Sequence, residues 1–184
     1  MKSQKTFYLV ISALMTATFA VLAQIVIPMP IGIPFTLQTF AVCLSGYLLG
    51  VKKSFCAVLC YLGIGACGLP VFSGMQGGIG IRITGFTGGF LGGFIPLARF
   101  CGIGKLQAWK KNSKILALSF GALGVLLCHL IGVAQLSAVS SIDLISAFLV
   151  GSLPYLPKDA LSMAGAFFFS TTVRKRLSKS GLNI

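Results

Sequence analysis

The sequence predicts an all-α integral membrane protein with six transmembrane helices, both termini in the cytoplasm and a single domain over residues 1–184. Of the 184 residues, 56% are hydrophobic and only 9% are charged, whereas charged residues make up roughly 25% of an ordinary soluble domain. So few charges cannot cover the surface of a soluble protein of this size. A lipid bilayer tolerates the surplus of apolar side chains, and the order of apolar runs and basic clusters leads to the same interpretation.

Six apolar runs approach the length of a spanning helix, which is about 20 residues. Pro28 and Pro70 follow the first and third runs, and Lys52 and Lys53 separate the second from the third. A further apolar piece, Leu144–Val150, is too short to span a bilayer. The six predicted spans are Phe7–Ile27, Phe35–Val51, Ser54–Leu69, Phe86–Ile103, Ile115–Leu136 and Asp159–Val173.

The basic residues favour six spans over five or seven. With six spans and both termini on one side, the opposite side carries only Arg82, Lys158 and the two acids, Asp143 and Asp159, while Arg99 lies near the inner end of the fourth span. This is the distribution that the positive-inside rule predicts. The remaining basic residues, all on the cytoplasmic side, are Lys2, Lys5, Lys52, Lys53, Lys105, Lys110, Lys111, Lys114, Arg174, Lys175, Arg176 and Lys179.

A cleaved signal peptide is the main alternative for the first span. Lys2 and Lys5 resemble a basic n-region, and Val21-Leu22-Ala23 resembles a cleavage site. The apolar stretch is longer than the usual core of about 7–15 residues. Its removal would also leave an odd number of spans, so we expect the segment to be retained.

Composition and missing motifs exclude several functions. A net charge of +13 suggests nucleic-acid binding in a soluble protein, but here the charges form short clusters between apolar runs, as topology signals do. Six scattered cysteines, one histidine and two acids predict neither a metal site nor a disulfide framework. The chain has no phosphate-binding loop and no nucleophile or zinc motif. The chain therefore cannot by itself use ATP in the usual way, and we expect that it is not an enzyme.

Ionisable residues on the outer side are the first candidates for a binding site. A charge near the bilayer core costs free energy, so a residue that carries one there is by default a candidate for function. Arg82 follows a glycine-rich stretch that begins at Ser73. Its guanidinium can clamp a carboxylate through two parallel hydrogen bonds, or it can reach interfacial water as a snorkelling side chain. Asp159 begins the sixth span, where it either caps the helix or accepts hydrogen bonds from a ligand. We interpret Asp143 mainly as a helix cap or as an acidic residue in a loop.

Uncharged polar residues and glycines are further candidates for the binding site. Gln38 and Gln135 lie near the outer ends of the second and fifth spans, where each amide bonds either to its own protein or to a ligand. His129, also on the fifth span, reads first as a structural residue. Between Gly85 and Phe94 the motifs Gly88-x-x-x-Gly92 and Gly89-x-x-x-Gly93 indicate close helix packing or room for a ligand. Ala13-x-x-x-Ala17 offers a similar flat surface on the first span.

Four stretches, in order along the chain, resemble the biotin-specific substrate-binding (S) components of energy-coupling-factor (ECF) transporters, the BioY type. The second and third of these, with their Pro-Val-Phe and Thr-Gly-Gly motifs, are the most specific. The stretches are Ile31–Thr39, Tyr61–Phe72, Gly77–Phe90 and Tyr155–Asp159. The resemblance implies the S-component fold, in a multi-pass protein of a prokaryotic cell membrane. It also implies capture of biotin at the outer face, with a membrane T subunit and two ATPases powering release inside.

The resemblance also implies a site. The loop after the third span would cover it and the last three spans would line it, with Asp159 accepting from the ureido N–H groups and Arg82 binding the tail carboxylate. Phe72, Phe86 and Phe90 would pack on the apolar bicycle. The other expected substrate-binding residues are Gly78, Thr87, Gly88, Lys158, Gln38 and Gln135, while Ala13 and Ala17 would contact the T subunit; no metal or cofactor is expected.

Three departures from the family pattern affect the polar contacts. Phe86 stands where proline is usual, and Phe90 replaces a tyrosine and so loses a hydroxyl. Ser162 stands where a lysine follows the aspartate by three residues, while Lys158 replaces a glycine and can supply the missing positive charge. Three alternatives therefore stay open: an S component for another vitamin or precursor, a solitary biotin facilitator working without ATPases, and, least favoured, a membrane enzyme.

Overall fold

The computed structural model describes residues 2–29, 33–80, 85–111 and 113–179, and this part of the chain is mostly helical. Seven α-helices and a two-stranded antiparallel sheet occur within it. The helices are α1 (Lys2–Ala23), α2 (Gln38–Leu49), α3 (Val51–Ala66), α4 (Gly88–Lys111), α5 (Lys114–Ser140), α6 (Leu144–Gly151) and α7 (Leu156–Lys179), and the strands are β1 (Val26–Ile27) and β2 (Phe35–Thr36).

Helix α2 is the centre of the bundle. Eleven of its 12 residues are buried, and it packs against α1, α3, α4 and α7. The aromatic side chains of Phe19, Tyr47, Tyr61 and Phe72 are among the largest fully buried groups. Outward-facing side chains are instead strongly apolar, with Ile115 76% and Leu161 75% exposed. An exterior of this kind needs an apolar solvent.

The pair α4 and α5 shows why one of the two glycine motifs is needed. A Cβ atom on Gly93 would lie 2.8 Å from the Cα of Cys128, and one on Gly89 would lie 2.7 Å from the carbonyl oxygen of Ile131. Gly89-x-x-x-Gly93 therefore brings the backbones of α4 and α5 together, as the sequence predicted. Gly92 of the other motif faces open space and makes no such contact.

The predicted spans correspond to α1, α2, α3, α4, α5 and α7, and the short piece corresponds to α6, which packs on α5. Every helix end differs from the predicted one by a few residues, and α4, for example, continues past Ile103 to Lys111. Two of these differences have their cause in the sheet. Helix α1 ends at Ala23, before Ile27, and α2 begins at Gln38, after Phe35, because Ile27 and Phe35 pair in the sheet. Length and composition alone mark two described helices as able to cross a membrane, Thr6–Ala23 and Lys114–Ser140; six crossings with cytoplasmic termini stay a prediction.

Candidate substrate-binding site

A small inner cavity of about 60 Å³ lies where β2, the Phe72 loop, and helices α4, α5 and α7 meet. Phe72, Phe90 and Phe94 form apolar walls, while Asp159, Lys158 and His129 supply polar groups. The sequence places these residues far apart, and the helix packing brings them together. The cavity lies at the end of the bundle opposite the basic connections between α2 and α3 and between α4 and α5.

Asp159 is the centre of a buried polar network. Its Oδ1 lies 2.6 Å from Lys158 Nζ, and its Oδ2 lies 3.1 Å from His129 Nε2. Ser152 Oγ lies 2.9 Å from Nδ1 of the same imidazole, so both ring nitrogens have partners. Lys158 also donates to the carbonyl oxygen of Thr36 at 3.0 Å. The network thus ties the start of α7 to β2 and α5.

Oδ1 of Asp159 retains the capacity to accept a hydrogen bond. It is buried, and its partner among the described residues is the Lys158 ammonium at 2.6 Å, which leaves the second lone pair of this oxygen without a donor. Buried polar atoms are normally hydrogen-bonded. A ligand N–H group that entered the cavity would supply the missing bond.

A wider outer cleft of about 650 Å³ adjoins the inner cavity, and both spaces share Pro34, Ser73 and Thr87. The Ser73 hydroxyl oxygen is buried and has no hydrogen-bond partner in the described part of the chain. Phe86 is 47% exposed and also lines the cleft. A drug-sized ligand needs a pocket of roughly 300–1,000 Å³. The inner cavity alone is below this range, whereas the outer cleft lies within it.

Gln24 holds the loop after α3 over the site. Its side-chain amide donates to Phe72 O at 3.2 Å, and its Oε1 accepts from Met75 N at 2.8 Å. Phe72 and Gln76 form an isolated bridge within the same loop. Phe72 fits because Gly65 has no side chain: a Cβ there would lie 2.1 Å from the Phe72 ring.

Both glutamines that the sequence singled out bond to their own protein. Gln38 Nε2 donates to Tyr61 Oη at 2.7 Å, and Gln38 lines the inner cavity. Gln135 Nε2 donates to Gly85 O at 3.4 Å, which ties α5 to the segment before α4. Among the described residues, Gln135 is not one of those that line either space.

Among the other predicted site residues, Thr87 lines both spaces, whereas Gly78 and Gly88 line neither. Thr87 is at the junction of the two spaces, Gly88 begins α4, and Gly78, at φ +107°, donates its N–H to Gly65 O at 2.7 Å. Such a φ favours glycine. Arg82 lies outside the described residues, so its predicted clamp on a carboxylate stays a prediction.

Two further predictions concern positions outside the cavity. Asp143 caps α6, as expected, because its Oδ2 accepts from Ser146 N at 3.0 Å; hydrogen bonds from Ser146 lower the pKa of this exposed carboxyl. Ala13 and Ala17 line an apolar groove of about 910 Å³ between α1 and α3. The small residues of α1 therefore lie on an open apolar face.

Sequence reasoning missed several contributors to the site, among them Phe94 and Ser73, which line it. Gln24, Ser152 and Tyr155 act through tertiary contacts: Tyr155, for example, donates its hydroxyl to Ile33 O across the chain. No motif marks such contacts. For Ser73 the only available signal was its place directly after the Pro-Val-Phe motif.

Comparison with known proteins gives the family. The family model of BioY matches residues 1–179. This chain belongs to the BioY family. It is 37% identical over 167 residues to the biotin transporter BioY of Thermotoga maritima, covering 91% of this chain and 95% of that protein. It is 33% identical over 178 residues to BioY2 of Lactococcus lactis subsp. cremoris, covering 97% and 96%.

A crystal structure of the S-component for biotin from an ECF-type ABC transporter has the same fold. The TM-score is 0.87 at 28% identity, and the match covers 95% of this chain and 94% of that one. BioY membership and this likeness make the chain a membrane protein, in keeping with its two long apolar helices. The BioY family consists of transporters and not of enzymes.

Proposed function

We propose that this chain is the biotin-binding S component of an ECF-type uptake transporter. The observation that carries the proposal is the buried carboxylate of Asp159, whose Oδ1 can accept a hydrogen bond beside the ion pair with Lys158, in a cavity walled by phenylalanines. The ureido ring of biotin offers two N–H donors to such an acceptor, and its bicycle offers apolar surface to the rings. BioY membership supports the same ligand.

In this proposal the ligand lies across both spaces. The bicycle enters the inner cavity, with an N–H group on Asp159, and the valerate tail passes between Ser73 and Thr87 into the outer cleft. The loop pinned by Gln24 then covers the bound bicycle. Lys158 is close enough to Asp159 to supply the positive charge that the departure at Ser162 removes.

We further propose the topology and partners of an S component. Six spans with cytoplasmic termini place the site at the outer face and the basic connections inside. Ala13 and Ala17 contact a T subunit, and two ATPases power release. If Ala13→Leu with Ala17→Leu abolishes co-purification with a T subunit but leaves biotin binding intact, the contact is supported. Full biotin uptake in cells without any T or ATPase subunit would instead support a solitary facilitator.

The site is tested with the only two acids in the chain. Asp159→Asn keeps the shape of the side chain but removes the negative charge, and it should weaken biotin binding at least about tenfold, because a hydrogen bond to a charged group contributes about 1.5–3 kcal/mol. Asp143→Asn makes the same change at an exposed cap and should leave the affinity unchanged. Calorimetric titration of both purified variants measures this. Equal affinities would overturn the assignment of Asp159.

A further inference from the structure

A further cavity, of about 260 Å³, lies at the opposite, basic end of the bundle between α4, α5 and α7. Four cationic side chains line it, those of Lys105, Lys114, Arg174 and Lys175. The only acids in the chain, Asp143 and Asp159, lie at the other end of α5 and at the start of α7. No carboxylate side chain of the protein is therefore placed to neutralise this cluster.

Lys105 is the most telling member of the cluster. Its side chain is buried, and its ammonium donates to the carbonyl oxygen of Leu48 at 2.7 Å. An ammonium has three N–H donors, whereas the acceptor that the described residues provide for Lys105 is this one carbonyl oxygen. Burial, with Arg174 and Lys53 nearby, lowers the pKa of Lys105, which lies beyond the predicted fourth span, to about 8. A buried cation without a counter-charge is costly, and a bound anion would relieve that cost.

The first turn of α5 adds a second attraction for an anion. Ser113 caps this 27-residue helix and accepts from Leu116 N at 3.4 Å, while Lys114 is its first residue. Helix N-termini carry free N–H groups and a partial positive charge. Ser113 and Lys114 both line the cavity, so the helix end and the cationic side chains act on the same space.

The walls of the cavity indicate where the anion comes from. Phe167 and Phe168 line it, and Phe168 is 55% exposed, as Ile115 is on the neighbouring helix at 76%. These apolar surfaces face the bilayer in the proposed topology, where acyl chains would lie against them. Basic pockets between helices at the cytoplasmic side bind anionic lipid headgroups in other membrane proteins.

We propose that this cavity binds the phosphate group of an anionic membrane phospholipid. Lys105 and Arg174 hold the phosphate from α4 and α7, and Lys114 with the N-terminus of α5 completes the site. The lipid joins the basic ends of three helices whose charges otherwise repel one another. This site is separate from the substrate site and does not depend on which substrate the chain binds.

The test titrates detergent-purified protein with dioctanoyl-phosphatidylglycerol and counts bound lipid by native mass spectrometry. The double variant Lys105→Gln with Arg174→Gln should weaken binding about tenfold to a hundredfold, because two charge-assisted hydrogen bonds are lost. The control Lys110→Gln with Lys179→Gln removes the same charge from exposed positions on the same two helices and should change the affinity less than about twofold. A cooperative melt confirms folding, and Lys114→Gln with Arg174→Gln replaces the first pair if it fails to fold.

Three results would overturn the proposal. Equal weakening in the cavity and control variants would indicate only general charge attraction. Equal binding of dioctanoyl-phosphatidylcholine would show that the anionic headgroup is not recognised. If inorganic phosphate displaces the lipid at millimolar concentration with the same dependence on Lys105 and Arg174, the site belongs to soluble phosphate and the lipid assignment fails.

Discussion

Replacing Lys158 with methionine removes the cation closest to the buried carboxylate of Asp159. The ammonium lies 2.6 Å from Oδ1 and also donates to Thr36 O at 3.0 Å, so the change breaks an ion pair and a link between α7 and β2. Removing one member of a fully buried pair costs about 3–5 kcal/mol. The Lys158 side chain is 20% exposed, so we expect a smaller loss of about 2 kcal/mol.

For a chain of this length, about 2 kcal/mol corresponds to a fall in the melting temperature of roughly 4–8 °C. The assay is a thermal melt of detergent-purified protein without ligand, with Lys110→Met as a control that removes an exposed lysine. In the double variant Lys158→Met with Asp159→Asn, the two effects should be far from additive, since the partners are in contact. A fall of less than about 1 °C in the single variant, or strict additivity in the double variant, would refute the reasoning.

Three further predictions concern the cover loop, the ligand path and the helix packing. Ser73→Ala should weaken biotin binding about fivefold to tenfold without lowering the melting temperature of the free protein, because the hydroxyl has no partner among the described residues; an unchanged affinity would exclude a ligand contact. Gln24→Ala should speed biotin dissociation in stopped-flow measurements, because the bonds to Phe72 and Met75 are lost; an unchanged rate would contradict the pinning role. Gly93→Ala should destabilise the protein by about 1–3 kcal/mol through overpacking, whereas Gly92→Ala, which meets open space, should not; equal melting temperatures would contradict the packing of α4 on α5.

The sequence was sufficient to predict the helices but not to predict where each of them begins and ends. Apolar runs and basic clusters predicted each long helix, because both signals are local. The pairing of Ile27 with Phe35 shortened the first two predicted spans, and this pairing depends on how the chain returns after Pro28. A sheet of two residues per strand has no periodic signal that the sequence could show.

Residues of the candidate site could be predicted where their residue type is rare in the chain, and could not be predicted where it is common. Asp159 stood out because the chain has only two acids, and Lys158 was expected to supply charge near it, as the 2.6 Å distance allows. His129 was interpreted first as a structural residue because it is a lone histidine on a span, and its contact with Asp159, 30 residues along the chain, has no local signal. Ser73 resembles many other serines, and only the fold shows that its hydroxyl is buried and has no partner within the described part of the chain.

The central claim is that this chain captures biotin by itself at the site around Asp159. Calorimetric titration of biotin into the purified wild-type protein tests it most directly. The two expected polar contacts, of Asp159 and Arg82, and burial of the bicycle predict saturable binding at one site with a Kd below about 1 µM. Absence of heat and of saturation at micromolar protein would contradict the claim.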